Sequence, residues 1–135
     1  MRKTVFAKGM YISDPKMYVL DIELSIGSLS QRVKLKADTG FNGGVFLPES
    51  FSEKFDEINI PGYPAPLILA DGSRVMARLY LGNIEQIDKY RFDRAISIPI
   101  YCYGQGASLI GLELLNRWIS EFNGIESYLT LYLMG

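Results

Sequence analysis

Apolar and polar residues alternate one by one along much of this chain, and this period of two constrains the fold more than any other feature. Residues 20–26 read LDIELSI, and residues 32–37 read RVKLKA. Successive side chains of a β-strand point to opposite faces, so this alternation predicts strands with one buried face. Gly27-Ser28 predicts a turn between these two segments, which are therefore expected to pair.

The same pattern predicts further strands and two short helices. Strands are expected at 45–47, 67–70, 75–81, 95–101 and 128–133, and helices at 48–55 and 112–119. Asp71-Gly72 predicts a hairpin with a tight primed turn, and Gly82-Asn83 predicts another turn. Residues 84–94 are polar, and their pattern favours no element. The expected fold class is all-β with one or two short helices.

Length and composition limit the architecture and the chemistry. The 135 residues correspond to a single domain, 1–135. The sequence contains no histidine, which excludes Ser-His-Asp and Cys-His nucleophile systems and histidine-based metal sites. Acid–base catalysis would fall to carboxylates, Lys or Tyr. We expect no metal and no cofactor, because calcium-loop spacing, phosphate-loop glycines and a dinucleotide fingerprint are absent from the sequence.

Charge and hydropathy predict the partners and the location. The net charge is -1, so the basic excess typical of a nucleic-acid binder is missing. No segment approaches the roughly 20 apolar residues of a membrane span, and the N-terminus has no apolar run of signal-peptide length. The single cysteine, Cys102, cannot form an internal disulfide. We therefore expect a cytoplasmic protein that binds neither nucleic acid nor membrane.

The most specific local signal is Asp38-Thr39-Gly40, which directly follows the strand predicted at 33–37. Alone it is weak, because Asp-x-Gly is common turn chemistry. Gly40 lets the backbone pass close to the carboxylate, and a carboxylate at the end of an apolar strand is preorganised and partly desolvated. A second signal is Leu109-Ile110-Gly111, which leads into the helix predicted at 112–119, and the Asp71-Gly72 hairpin lies between the two.

The order of these three features resembles that of the retropepsin-like aspartic proteases. The segments 37–48 (ADTGFNGGVFLP), 70–73 (ADGS) and 110–115 (IGLELL) are similar to those of single-domain bacterial and archaeal members. The resemblance extends over about 18–133 and implies a retropepsin-like closed β-barrel, one lobe of the acid-protease fold. Two features depart from the retroviral pattern. Phe41 stands where those members have Ala or Ser, and the hairpin lacks a glycine-rich tip.

The resemblance implies an aspartic endopeptidase with Asp38, Thr39 and Gly40 as its catalytic motif. This chemistry uses two carboxylates about 3 Å apart that share one proton. Because the chain contains a single Asp-Thr-Gly, the second carboxylate must come from another copy across a two-fold axis. A homodimer is therefore expected, with higher oligomers left open. The terminal segments 3–7 and 129–133 are candidates for its interface, by resemblance.

The resemblance also implies which residues contact a peptide or protein substrate. The hairpin would close over the substrate as a flap, and the Asp38 loop and the second glycine motif would line the cleft. Arg78 and Tyr80, which follow the hairpin turn, could face the substrate or solvent. The implied contact residues are Ala70, Asp71, Gly72, Ser73, Phe41 and Ile110.

Two other interpretations remain open from the sequence. The same fold could serve as a catalytically silent dimeric module that binds extended peptides by strand addition, or as a scaffold. Alternatively, the chain could be an unrelated small β-barrel in which Asp-Thr-Gly is only a turn.

Overall fold

The structure, a computed structural model, describes residues 3–13, 16–106 and 108–134. Within these ranges it contains ten strands and two short helices, so the predicted all-β class is confirmed. The helices are α1 (Glu49–Glu57) and α2 (Leu112–Leu115). The strands are β1 (Lys3–Ser13), β2 (Lys16–Ile26), β3 (Leu29–Ala37), β4 (Val45–Leu47), β5 (Tyr63–Ile68), β6 (Arg74–Ile87), β7 (Tyr90–Cys102), β8 (Leu109–Ile110), β9 (Ile119–Asn123) and β10 (Tyr128–Met134).

The strands pair in the order β5-β6-β7-β4-β8-β3-β2-β1-β10-β9. An additional pairing joins β6 to β2. As a result, β2, β3, β8, β4, β7 and β6 follow one another around a ring in which every strand has a neighbour on both sides. The strands β1, β10 and β9 continue the sheet beyond β2, and β5 continues it beyond β6. The two end strands of the sheet are therefore β5 and β9.

The apolar face of the alternating segments fills the inside of this ring. Leu20, Ile22, Leu24 and Ile26 of β2 are all at most 1% exposed, as the period of two predicts. Burying one such side chain contributes roughly 1.5–3 kcal/mol to folding. The core also explains why β2 and β3 pair in one uninterrupted register, from Val19 opposite Lys36 to Ile26 opposite Leu29. A slip of one residue would turn the apolar face outwards.

The turn predicted at Gly82-Asn83 is wrong, because both residues lie inside the long strand β6. Gly82 serves close packing instead of a turn. A Cβ at this position would lie 2.6 Å from Ile100 Cδ1 and 2.9 Å from the Ser25 carbonyl oxygen. The real turn comes later, because β6 and β7 pair as far as Ile87 opposite Tyr90. The unassigned residues 84–94 therefore form the end of this hairpin.

The second helix and the turn of the first hairpin also differ from prediction. The helix expected at 112–119 ends at Leu115, because Ile119 pairs with Tyr132 and begins β9. Tertiary strand pairing here overrides the helical pattern. In the β5–β6 hairpin, Gly72 has φ +85° while Asp71 is not in the left-handed region. A type I′ turn requires positive φ at both central residues, so the predicted primed turn is wrong.

Candidate active site

Asp38 follows directly on the last residue of β3, at the point where β3 pairs with β8. These two strands run parallel, with Ala37 opposite Ile110. The Asp38 N–H donates to the Ile110 carbonyl oxygen at 2.9 Å, and the Lys36 N–H donates to the Ser108 carbonyl oxygen at 2.8 Å. The two glycine motifs, which are some seventy residues apart in the sequence, are thus neighbours in space.

The Asp-Thr-Gly segment forms a turn that holds its own carboxylate. The Phe41 N–H donates to the Asp38 carbonyl oxygen at 3.2 Å, and the Gly40 N–H donates to Asp38 Oδ1 at 2.9 Å. Asp38 is half-buried, whereas Thr39 and Gly40 are exposed. In the described part of the chain, no other hydrogen bond and no ion pair engages this carboxylate. Its orientation is fixed by the backbone while it stays accessible.

Three backbone hydrogen bonds fasten the loop after Asp38 to the start of α2. The N–H groups of Gly111, Leu112 and Glu113 donate to the carbonyl oxygens of Gly44 at 2.8 Å, Phe41 at 2.8 Å and Gly43 at 3.3 Å, respectively. The approach is so close that a Cβ at Gly111 would lie 2.5 Å from the Phe41 carbonyl oxygen. Glycine is therefore required at 111 for lack of space, since its φ of -106° suits any residue.

The Phe41 ring belongs to an aromatic cluster. The ring packs edge-on against Phe46 and Tyr101, with centroid distances of 5.9 Å and 6.4 Å. It also covers Gly43, where a Cβ would lie 2.6 Å from the ring. The bulky residue that distinguishes this sequence from the retroviral pattern is thus accommodated by the glycine two positions later.

The Ile110 side chain does not occupy the substrate-binding position that the sequence predicts. Its side chain is fully buried in the core between β3 and β4, with 0% exposure. The parallel pairing of β8 with β3 turns this side chain inwards and leaves the backbone carbonyl to hold Asp38. Ile110 therefore contributes its backbone carbonyl to the site, and its side chain does not line a cleft.

The hairpin residues Ala70, Asp71, Gly72 and Ser73 are all exposed at the β5–β6 tip. Asp71 Oδ1 accepts hydrogen bonds from the Ser73 hydroxyl at 2.5 Å and from the Ser73 N–H at 2.8 Å. These bonds favour the ionised carboxylate and hold the pKa of Asp71 below its usual range. Among the described residues, no hydrogen bond joins this tip to the Asp38 loop.

The base of the hairpin is anchored by Tyr80, which the sequence left between substrate contact and solvent exposure. Tyr80 is fully buried, and its hydroxyl lies 2.6 Å from the Ser52 hydroxyl of α1. Its ring packs edge-on against Phe55 at 4.9 Å. The signal for burial was present in the sequence, because Tyr80 is in phase with Ile84 on the same strand. Arg78 is exposed, beside Asp56 at 3.7 Å.

Within the described ranges, no group of three or more Cys, Asp or Glu side chains is arranged to hold a metal ion. No helix there is long and apolar enough to cross a membrane. The polar groups of the Asp-Thr-Gly turn itself are the Asp38 carboxylate, the Thr39 hydroxyl and the backbone N–H and C=O groups.

Comparison with known proteins gives a match at the level of structure alone. No protein-family model and no curated protein sequence matches this chain. Among solved structures, the chain is similar to a retropepsin-like aspartic protease from Rickettsia conorii, with a TM-score of 0.57 and 15% identity over 97% of this chain and 93% of that chain. The predicted retropepsin-like fold is confirmed. The alternative of a different small-barrel fold is therefore wrong.

Proposed function

We propose that this retropepsin-like chain is one half of an aspartic endopeptidase and that two copies supply one Asp38 carboxylate each. The observation that carries the proposal is the attachment of the Asp38 loop to residues 110–113. It fixes a half-buried carboxylate at a strand end by backbone bonds alone. A catalytic group needs such a fixed orientation, whereas a carboxylate in an ordinary surface turn does not need one.

The proposed chemistry needs two like carboxylates and a water molecule. Two carboxylates about 3 Å apart share a single proton, because both cannot ionise at that separation. The ionised one takes a proton from water, and the neutral one donates to the carbonyl oxygen of the peptide. Water attack forms a tetrahedral intermediate, after which the roles reverse and the leaving amine is protonated. No imidazole is needed, which agrees with the absence of histidine.

The other motif residues have supporting roles in this proposal. The Thr39 hydroxyl would hydrogen-bond across the dimer beneath the two carboxylates. The Gly40 carbonyl oxygen would accept from the substrate backbone. The exposed tip at 70–73 would close over an extended peptide and exclude water. The cytoplasmic location expected from the sequence belongs to the same proposal, since a reducing compartment keeps the free thiol of Cys102 intact.

The test compares Asp38→Asn with Asp93→Asn, an exposed aspartate on β7. Both variants and the native protein are incubated with a peptide library over acidic to neutral pH, and cleavage is followed by mass spectrometry. We expect Asp38→Asn to reduce kcat/KM by at least about 100-fold, because it removes the group that transfers the proton. Asp93→Asn should leave cleavage unchanged, and circular dichroism checks that both variants keep the native fold.

Equal cleavage by Asp38→Asn and the native protein would refute the proposal. Peptide binding by the native protein with no cleavage at any pH, retained in Asp38→Ala, would instead support the silent peptide-binding module on the same fold.

A further inference from the structure

We infer that Lys36 is a specificity-determining residue, which selects substrates with an acidic side chain, Asp or Glu, next to the scissile peptide bond. The inference rests on the proposed function, because it concerns the two substrate residues on either side of the bond cleaved at Asp38, here called the flanking residues. The proposed chemistry itself makes no use of Lys36.

Lys36 and Asp38 lie on the same face of the extended chain. The Lys36 N–H donates to the Ser108 carbonyl oxygen at 2.8 Å. The Asp38 N–H donates to the Ile110 carbonyl oxygen at 2.9 Å, so the strand geometry of β3 continues through Asp38. In such a chain, side chains two residues apart share one face, and their Cα atoms are about 6.6 Å apart. Ala37, which lies between them, packs against the core on the other face.

The surface beside Lys36 is apolar. Leu109 of β8 lies opposite Lys36, and Phe46 of β4 lies opposite Leu109. Directly opposed residues of neighbouring strands project from the same face of the sheet, so these three residues form one row, and all three are half-buried. A substrate side chain that binds along this row, next to Asp38, would meet a single cationic group among apolar ones.

The Lys36 ammonium group has no acidic partner within 4.0 Å among the residues that the structure describes. The acidic residues of β2 that share its face are engaged elsewhere. Asp21 lies 3.3 Å from Arg32, and Glu23 lies 3.2 Å from Arg91. A half-buried ammonium group has lost part of its hydration, and a carboxylate that reaches it compensates for this loss. An acidic substrate side chain is the group that suits this position.

Lys36 differs in its surroundings from Lys34, the preceding lysine on the same face of β3. Lys34 is exposed, lies opposite Asp21 and is four residues from Asp38, a Cα separation of about 13 Å. An exposed charge contributes little to binding, because solvent and salt screen it. Lys34 therefore provides a matched control, with the same charge on the same strand but further from the site.

The preference is expected at both flanking residues. In the proposed two-fold arrangement each copy supplies one Lys36, so one ammonium group lies on each side of the scissile bond. A carboxylate on either flanking residue can then form an ion pair. A substrate that carries lysine or arginine at these positions would place two cations together and should be cleaved poorly.

The test uses pairs of peptides that differ only by Glu or Gln at one flanking residue, since these side chains have nearly the same shape and differ in charge. At about pH 6, where a glutamate side chain is ionised, we expect kcat/KM to be about tenfold higher for the Glu peptide, because a charge-assisted hydrogen bond replaces a neutral one. Raising the salt concentration from about 0.05 M to about 0.5 M should lower this ratio, because ions screen the attraction.

Three variants assign the preference to Lys36. Lys36→Met removes the charge but keeps a long unbranched side chain, so the ratio of kcat/KM for Glu over Gln should fall to about one. Lys36→Arg keeps the charge and should keep the preference. Lys34→Met should show the native ratio. Urea denaturation checks that the variants remain folded.

The outcomes separate this inference from the proposed function. Cleavage without a preference for Glu, or with a preference that survives in Lys36→Met, overturns the role of Lys36 and leaves the peptidase standing. If the native protein cleaves no peptide, the peptidase is contradicted, and fluorescence anisotropy with peptides that carry a central Glu or Gln tests Lys36 by binding. Tighter binding of the Glu peptide by the native protein, lost in Lys36→Met, supports the inference, and equal binding of both peptides overturns it.

Discussion

Gly111→Ala is the substitution that most directly tests whether the attachment between the two motifs positions Asp38. The added methyl group would lie 2.5 Å from the Phe41 carbonyl oxygen, whereas ordinary contact begins at 3.4 Å. The Gly43 carbonyl oxygen would lie closer still. The Asp38 loop must therefore retreat by at least about 0.9 Å, since these backbone atoms cannot rotate away from the methyl group. The backbone conformation at 111 is extended, so no torsional strain adds to this effect.

Two magnitudes follow from this displacement. Overpacking of this kind costs about 1–3 kcal/mol of unfolding free energy. A misplacement of about 1 Å at a catalytic group lowers turnover about 100-fold. We therefore expect kcat/KM to fall by far more than the loss of folded protein could explain, because most molecules stay folded at the assay temperature.

The matched control is Gly106→Ala, a glycine in the loop that precedes β8. A Cβ there would meet nothing within 4 Å. Urea denaturation measures the stability of both variants, and peptide cleavage measures kcat/KM. If Gly111→Ala matches Gly106→Ala in both assays, the hydrogen-bonded loop does not position Asp38 and the reasoning fails.

Two further predictions concern the core around the site. Tyr80→Phe removes a hydroxyl that lies 2.6 Å from the buried Ser52 hydroxyl. Urea denaturation should therefore show a loss of about 1–2 kcal/mol in the free energy of unfolding. Tyr63→Phe, at an exposed position, should show no loss, and equal effects of the two substitutions would contradict the anchoring role. Burial raises the pKa of the Cys102 thiol to about 12. Between about pH 9 and pH 12 the unfolded chain therefore loses this proton while the folded chain keeps it, so stability should fall by up to about 1.4 kcal/mol per pH unit more than in Cys102→Ala. Parallel pH profiles of the two proteins would argue against a buried neutral thiol.

Local alternation predicted the strands of the core well, because burial on one face enforces a period of two. The failures arose where distant pairing decides the structure. Gly82 looks like a turn residue, yet it lies mid-strand because Ile100 and the Ser25 backbone crowd its α-carbon. Ile119 fits the apolar stripe of a helix, yet it pairs with Tyr132. Both contacts involve residues far away in the sequence, so the pattern of the neighbouring residues cannot indicate them.

The site was predictable in its parts and not in its assembly. The sequence identified Asp38 and Gly111 as members of two separate motifs, and their adjacency followed from the family resemblance. It could not indicate that the Ile110 side chain turns into the core, since that depends on the parallel pairing of β8 with β3. Nor could it indicate that Phe41 packs on Phe46 and Tyr101. Side-chain direction in so short a strand is set by its neighbours.

The length of β6 has a mechanical consequence. This strand runs unbroken for 14 residues, from Arg74 beside the exposed tip to Ile87, and its later part pairs with both β7 and β2. The tip is therefore joined directly to a strand whose later part is paired on both sides. A displacement of the tip would therefore bend the β5–β6 hairpin along its length. The part of β6 that pairs with both β7 and β2 would resist this bending.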